Sequence, residues 1–255
     1  MSGHDLAAKI QHAAQLMRAA RHAVAITGAG ISTPSGIPDF RSSGSGLWSK
    51  DDPMLVASLT TFKRKPDQFF NWLRSLAIPM RQASPNPAHR ALAKMEQTGV
   101  IKAVITQNID GLHQQAGSRT VIELHGSLAT LTCPGCRTQV KAGEYIEAFI
   151  ESHALPYCSH CRSLLKPDII LFEEMLPIDA WDAAQRHCEQ ADVALIAGSS
   201  LEVSPANQLP LYALRHHARL IINTYSPTYL DDAAQIVLSG DVATILPQIA
   251  DQLDG

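Results

Sequence analysis

Apolar residues recur at helical spacing at Leu6, Ile10, Ala13, Ala14 and Met17, then give way to the unbroken run Val24-Ala25-Ile26-Thr27, stopped by Gly28. The first spacing predicts an amphipathic helix and the second a buried strand. Further strand-like runs lie at 100–106, 121–124, 169–172, 193–197 and 220–223, with helical patterns between most of them. Asn86-Pro87 predicts one helix start, an N-cap followed by proline at the first helical position, and Gly99 predicts its end. Asp179 is the expected cap of another, running through Trp181, Ala184 and Cys188. Strands alternating with helices predict an α/β fold: a Rossmann-like parallel sheet covered on both faces, with ligands at the carboxyl ends of its strands. Pro247, within the series Val242, Ile245, Leu246, Ile249 and Leu253, predicts a kink or restart in the last helix.

Two stretches break the alternation. Residues 42–87 open on "SSGSGLWSKDDP" and continue into a helical pattern around Phe69, Phe70, Trp72 and Leu73, while residues 126–165 carry four of the five cysteines. Both are expected as insertions that form a small lobe. The large Rossmann-like lobe is then 1–41, 88–125 and 166–255 of a single catalytic domain.

A chain of 255 residues with 45% hydrophobic content can bury a core without disulfides. Its formal net charge of −3 supplies no broad basic field, so nonspecific nucleic-acid binding is not expected. The run Lys63-Arg64-Lys65 is read as a solvated face. The first 21 residues mix charged and polar side chains into the apolar ones, unlike a signal peptide, and no stretch is long and apolar enough to span a bilayer. A cytoplasmic protein, monomeric and with no membrane partner, is the expectation.

Cys133-Pro-Gly-Cys136 and Cys158-Ser-His-Cys161 are paired knuckles separated by 21 residues, close to the spacing of four-cysteine zinc ribbons. Four thiolates fill a tetrahedral shell, so the expected zinc is structural. Two disulfides, or redox-active pairs, are the competing reading of the same spacing. His160 is read as a bystander and Cys188 as a small core residue.

Gly28-Ala29-Gly30 after a strand is half of a dinucleotide fingerprint, with Thr33 where a third glycine is usual. An ordinary strand-to-helix turn explains that half equally well. The longer stretch "GAGISTPSGIPDFR" resembles the sirtuins, NAD-dependent protein-lysine deacylases. So do "TQNIDGLH" at 106–113, "ELHG" at 123–126, the cysteine knuckles, "KPDIILFEE" at 166–174, "GSSLEVSPA" at 198–206, "IIN" at 221–223 and "GDV" at 240–242.

The resemblance implies NAD as co-substrate, structural Zn2+, and acyl-lysine proteins as substrates. Gly28, Ala29, Gly30 and Ser32 would lie against the pyrophosphate. Ile37, Pro38, Asp39, Phe40 and Arg41 would form a loop over the nicotinamide end, with Phe40 covering the ribose carbon and Arg41 holding phosphate. The serine, glycine and proline content of 31–48 predicts that this loop is mobile without ligand.

In the implied reaction the acyl-lysine amide oxygen attacks the ribose carbon that bears nicotinamide, and the acyl group ends on ADP-ribose. Asp110, beside Ile109, would meet the carboxamide. Asn108 would position a water and the ribose, Gln107 would bond the ribose, and His125 would be the general base. Gly198, Ser199 and Ser200 would meet phosphate or ribose, Asn223, Thr224 and Tyr225 the adenine ribose region, and Val242 the adenine. His89 and His113 are read as packing and capping residues. The peptide would add a strand between a segment containing Ile170, Phe172 and Glu173 and another containing Leu201 and Val203.

Two departures bear on substrate. Family members commonly have glycine where this chain has Glu173, which here is expected to favour basic flanking residues. The tyrosine and arginine that accompany succinyl or malonyl preference align with Phe70 and Leu73, so neutral acyl groups are expected, although a shift by one residue would bring in Arg74. Mono-ADP-ribosyl transfer from the same NAD site and a non-catalytic NAD sensor or scaffold remain as alternatives, with a dehydrogenase the weakest.

Overall fold

The computed structural model describes residues 3–40, 46–49 and 51–253. The chain opens with α1 (Gly3–Ala19) and β1 (Ala23–Thr27), then passes through α2 (Pro53–Val56), α3 (Leu59–Arg64) and α4 (Pro66–Gln82). Next come α5 (Pro87–Gln97), β2 (Ile101–Thr106), α6 (Leu112–Gln115) and β3 (Val121–Glu123). The cysteine-bearing segment contributes β4 (Gly126–Thr132), β5 (Gln139–Lys141), α7 (Ile146–Glu151) and β6 (Lys166–Ile169). The chain ends with α8 (Ile178–Gln190), β7 (Val193–Ala197), α9 (Leu209–Arg215), β8 (Arg219–Asn223), β9 (Ile236–Leu238) and α10 (Val242–Asp251).

Six strands form a sheet in the order β3-β2-β1-β7-β8-β9, with every neighbouring pair parallel. β1 and β7 are buried at all positions, which is why their sequences are unbroken apolar runs. On one face Ile10, Met17, Leu92, Met95, Ile245 and Ile249 pack from α1, α5 and α10. On the other, Ala184 and Cys188 of α8 and Leu209 and Ala213 of α9 cover the sheet. The strand order reverses between β1 and its neighbours β2 and β7, and the carboxyl ends of β1 and β7 flank the crevice this opens.

A second, antiparallel sheet, β5-β4-β6, carries the cysteine module. The run Ile169–Phe172, expected as a strand of the alternation, does not join the large sheet: β6 pairs with β4, matching Leu131 to Pro167 and Thr132 to Lys166. Its apolar character is satisfied by a separate core cluster, where Ile169 and Leu171 pack with Phe62, Phe69, Phe70 and Phe149. Asp179 lies in the first turn of α8 and does not cap it, because Pro177 holds the N-cap position. α10 is one helix with Pro247 inside it, held by packing against α5 and α1. Lys63, Arg64 and Lys65 are exposed, and no helix among the described residues is long and apolar enough to cross a membrane.

Candidate active site

The turns after β1 and β7 interlock. Gly30 N–H donates to the Gly198 carbonyl at 2.9 Å and Gly28 N–H to the Ala197 carbonyl at 3.3 Å. Gly198 has φ 62°, and a Cβ there would fall 2.2 Å from the Ile31 nitrogen, so both conformation and contact require glycine. In place of a long helix, β1 leads into 3-10 turns at Ala29–Ile31 and Thr33–Ser35. Thr33, at the missing third glycine, donates its hydroxyl to the Gly30 carbonyl at 3.0 Å.

Beneath these turns lies a hydrogen-bonded group. Ser32 Oγ donates to Asp110 Oδ2 at 2.7 Å and accepts from Asn108 Nδ2 at 3.1 Å. Asn108 Nδ2 also reaches the Gly28 carbonyl at 3.1 Å, and Leu112 N–H donates to Asp110 Oδ1 at 2.9 Å. Asn86 N–H donates to His89 Nδ1 at 3.3 Å, completing the capping box of α5. With Nδ1 an acceptor, the His89 proton sits on Nε2, 3.5 Å from Ser32 Oγ. Burial pushes the His89 pKa down to about 4 despite the opposing charge of Asp110.

His113, ring to ring with His89 at 4.9 Å, has Nε2 2.9 Å from Thr27 Oγ1. Thr27 in turn donates to Thr106 Oγ1 at 2.9 Å, which also accepts from Asn108 N–H at 3.0 Å. Burial first, and His89 second, lower the His113 pKa to about 3. The two histidines are therefore neutral props behind Asn108, Ser32 and Asp110. Their capping and packing roles were legible in sequence; their convergence on one group was not, because they stand 24 residues apart on separate helices.

His125 follows β3, with Nδ1 3.0 Å from the Gln107 carbonyl oxygen. A carbonyl only accepts, so Nδ1 carries a proton, and in the neutral imidazole the lone pair belongs to Nε2. The His125 carbonyl accepts from Ile170 N–H at 2.8 Å, which ties the post-β6 segment to this histidine.

One cavity of about 1010 Å³ joins these parts. Its wall includes Gly28, Ala29, Gly30 and Ser32 from the first turn and Ile37, Pro38, Asp39 and Phe40 from the loop. Gln107, Asn108, Ile109, Asp110 and His125 line it as well, as do Gly198, Ser199, Ser200, Thr224, Tyr225 and Val242. Of the expected peptide-side residues, Ile170, Phe172, Glu173 and Val203 line it. Two expected residues do not. Leu201 is buried in the sheet-covering core, and the fully buried Asn223 spends its amide on the Leu238 and Gly240 carbonyls, at 2.9 and 3.1 Å. Asn223 instead supports the β7 turn, its own carbonyl accepting Gly198 N–H at 2.9 Å. Arg41 lies outside the described residues.

Sequence reading passed over Trp48, which lines the cavity from a stretch that reads as polar. Its ring lies 5.9 Å from Trp72, 5.1 Å from Phe40 and 6.1 Å from Phe172, joining the loop to the segment after β6. The adjacent "LW" was its one signal. A second cavity of about 660 Å³, lined by Phe70, Leu73, Ala77 and Phe149, shares Met80, Ile109 and Asp110 with the first.

In the cysteine module the four Sγ atoms lie within 4.8 Å of one another, and all four are free of disulfides. Cys136 N–H points at Cys133 Sγ at 3.4 Å, and the Thr138 and Ser163 hydroxyls lie 3.3 and 3.4 Å from Cys136 and Cys161 Sγ. Four soft donors ringed by hydrogen-bonding groups are positioned to hold a structural zinc, which settles the knuckles against the disulfide reading.

The Sir2 family model matches residues 28–205. The NAD-dependent protein deacetylase 1 of Geobacillus kaustophilus is 43% identical over 242 residues, 93% of this chain and 96% of that protein. The NAD-dependent protein deacylase 2 of Archaeoglobus fulgidus is 42% identical over 246 residues, 96% of each. Among solved structures, a Sir2–p53 peptide–NAD+ complex superposes with TM-score 0.84 at 40% identity, covering 93% of this chain and 95% of that one. Sir2Af2 bound to a myristoylated histone peptide superposes with TM-score 0.82 at 36% identity, covering 97% of each. By sequence along nearly its whole length and by fold, the chain belongs to the Sir2 family.

Proposed function

We propose that this chain is an NAD-dependent protein-lysine deacylase that transfers a neutral acyl group from lysine to the ADP-ribose part of NAD. One observation carries the reading: the glycine turns, the Asn108–Ser32–Asp110 group, His125 and the Phe172 segment all line a single cavity. A nucleotide site alone would need the turns. It would not need a basic imidazole nitrogen and an aromatic passage in the same space.

Bound NAD supplies a ribose carbon whose bond to nicotinamide breaks as the acyl-amide oxygen attacks it. Asp110, held by Ser32 and Leu112 N–H, orients the carboxamide of the leaving group. Asn108 is fixed through its backbone and its amide and presents its side chain to the ribose. His125 Nε2 accepts a ribose hydroxyl proton as that oxygen bonds to the imidate carbon, the Gln107 carbonyl steadying the imidazolium that results. The lysine amine leaves, and one water added at the same carbon releases the acyl group as a ribose ester. Phe40, Trp48 and Phe172 exclude water around the acyl-lysine.

The acyl preference follows from α4. Phe70 and Leu73 line the second cavity, while Arg74 is turned away, its Nε donating to the Phe149 carbonyl and its Nη1 to Asn71 Oδ1, both at 2.8 Å. Arg81 also lines this cavity but is solvent-exposed, where a charge pair with an acyl carboxylate is weak.

The test is a mass-spectrometric time course with NAD and acetyl-, longer neutral acyl- and succinyl-lysine peptides. Nicotinamide and acyl-ADP-ribose are expected in step with loss of neutral acyl groups, and His125→Ala should slow this by about 100-fold or more. Mass gained by the peptide would establish ADP-ribosyl transfer instead, and efficient desuccinylation would overturn the acyl preference.

A further inference from the structure

Glu173 has φ 75°, in the left-handed region that favours glycine, so the side chain is retained against backbone strain. Its carboxylate is engaged: Oε2 accepts Thr60 N–H, the second amide of α3, at 2.8 Å. The neighbouring amides are divided in the same way, Leu59 N–H to the Phe172 carbonyl and Thr61 N–H to Ser58 Oγ, each at 3.1 Å. Phe172 N–H donates to the Ala57 carbonyl at 3.1 Å, so Phe172 already pairs with the small lobe along one edge. Upstream, Ile170 N–H is held by His125, and Leu171 N–H is held by Glu174 Oε2 at 2.9 Å. Lys166 Nζ meets that same oxygen at 2.9 Å.

We propose that Glu173 is a positioning residue that clips the 170–174 segment to the start of α3, setting the edge that receives the acyl-lysine peptide before the peptide arrives. The inference rests on the deacylase reading above. The clip sets peptide affinity and leaves the chemistry on NAD alone. It also replaces the role expected from sequence, selection of basic flanking residues by charge. The two roles separate at glutamine, which keeps an acceptor oxygen and loses the charge.

The experiment compares wild type with Glu173→Gln, Glu173→Ala and Glu173→Gly by steady-state kinetics on acetyl-lysine peptides with basic or neutral flanks, and by hydrogen exchange at the Thr60 amide. Glu173→Ala and Glu173→Gly are expected to raise peptide KM by about fivefold to tenfold, the scale of one net intramolecular hydrogen bond. The kcat at saturating peptide and the KM for NAD should hold. Glu173→Gln should restore KM to within about twofold, since its amide oxygen still accepts from Thr60 N–H.

Thr60 exchange should quicken in the alanine and glycine variants and not in the glutamine variant. Glycine relieves the left-handed strain, so a raised KM in Glu173→Gly without a lowered Tm excludes unfolding as the cause. A wild-type KM in Glu173→Ala, or a loss in Glu173→Gln confined to basic peptides with Thr60 exchange unchanged, would overturn the clip. Absence of turnover in the wild-type chain would count against the deacylase reading instead, and Thr60 exchange would still report on the clip.

Discussion

A methyl group at position 198 would fall 2.2 Å from the Ile31 nitrogen and 2.6 Å from the Gly30 carbonyl carbon. Both are backbone atoms of the partner turn and cannot swing aside. Gly198→Ala must therefore move one turn off the other while also holding alanine at φ 62°. A loss of about 2 kcal/mol or more is expected, read as a lower urea midpoint at unchanged m-value, together with weaker NAD binding. Gly143→Ala, where an added Cβ meets nothing within 4 Å, is the control and should be close to neutral. At this scale sequence reading found the glycines but not their reason: "GAG" and "GSS" stand 170 residues apart and become one feature only when β1 and β7 pair in parallel. Asn223, expected at the adenine ribose, does not line the cavity. A polar residue ending a strand reads the same whether it meets a ligand or bonds backbone carbonyls, as its amide does here.

The cysteine module is the element with least of its own to hold it. Leu131 and Leu165 are its buried apolar side chains beside Cys133 and Cys158, and β5 has three residues, two of them exposed. So small a core does not offset the ordering entropy of its chain, and the metal must contribute the difference. Chelation is expected to release one zinc per chain and to speed hydrogen exchange across 133–163, while the large sheet stays protected. Metal retained under chelation, or exchange unchanged after its loss, would contradict this. Legibility varied among the elements for similar reasons. β1 and β7 are visible because burial on both faces makes them unbroken apolar runs. Such a run does not say which sheet it enters, and 169–172 was misplaced on that account. β9 escaped notice because three residues at a sheet edge carry no period.

Across the whole molecule, imidazoles kept neutral by burial stand at both ends of the large sheet. His89 and His113 sit under the active-site turns, with pKa values lowered to about 4 and about 3. Before β1, His22 Nε2 lies 3.1 Å from His187 Nδ1, and both pKa values are lowered, by burial first. Lys102 and His187 add to the lowering at His22 while Asp192 opposes it, and Arg186 adds to it at His187. Nothing in the sequence marks these four, among eleven histidines, for a lowered pKa, because the shift comes from packing. Each takes up a proton near pH 6.5 when unfolded but only at lower pH when folded. Between those values the unfolded chain binds more protons, so their stabilisation is complete above pH 6.5 and is lost as pH falls toward 4. A fully titrating buried histidine adds a slope of about 1.4 kcal/mol per pH unit, and the half-buried pair adds less. Glu123, whose pKa burial raises, acts with the opposite sign just above its ordinary value and only partly offsets the histidines. The histidine contribution to urea midpoints taken from pH 8 to pH 5 should therefore be level down to about 6.5 and then fall steeply, the steepest part coming from His89 and His113. Folded-state imidazole proton resonances at pH 5 should still report those two rings as neutral, and a flat midpoint profile or charged rings at that pH would refute the account.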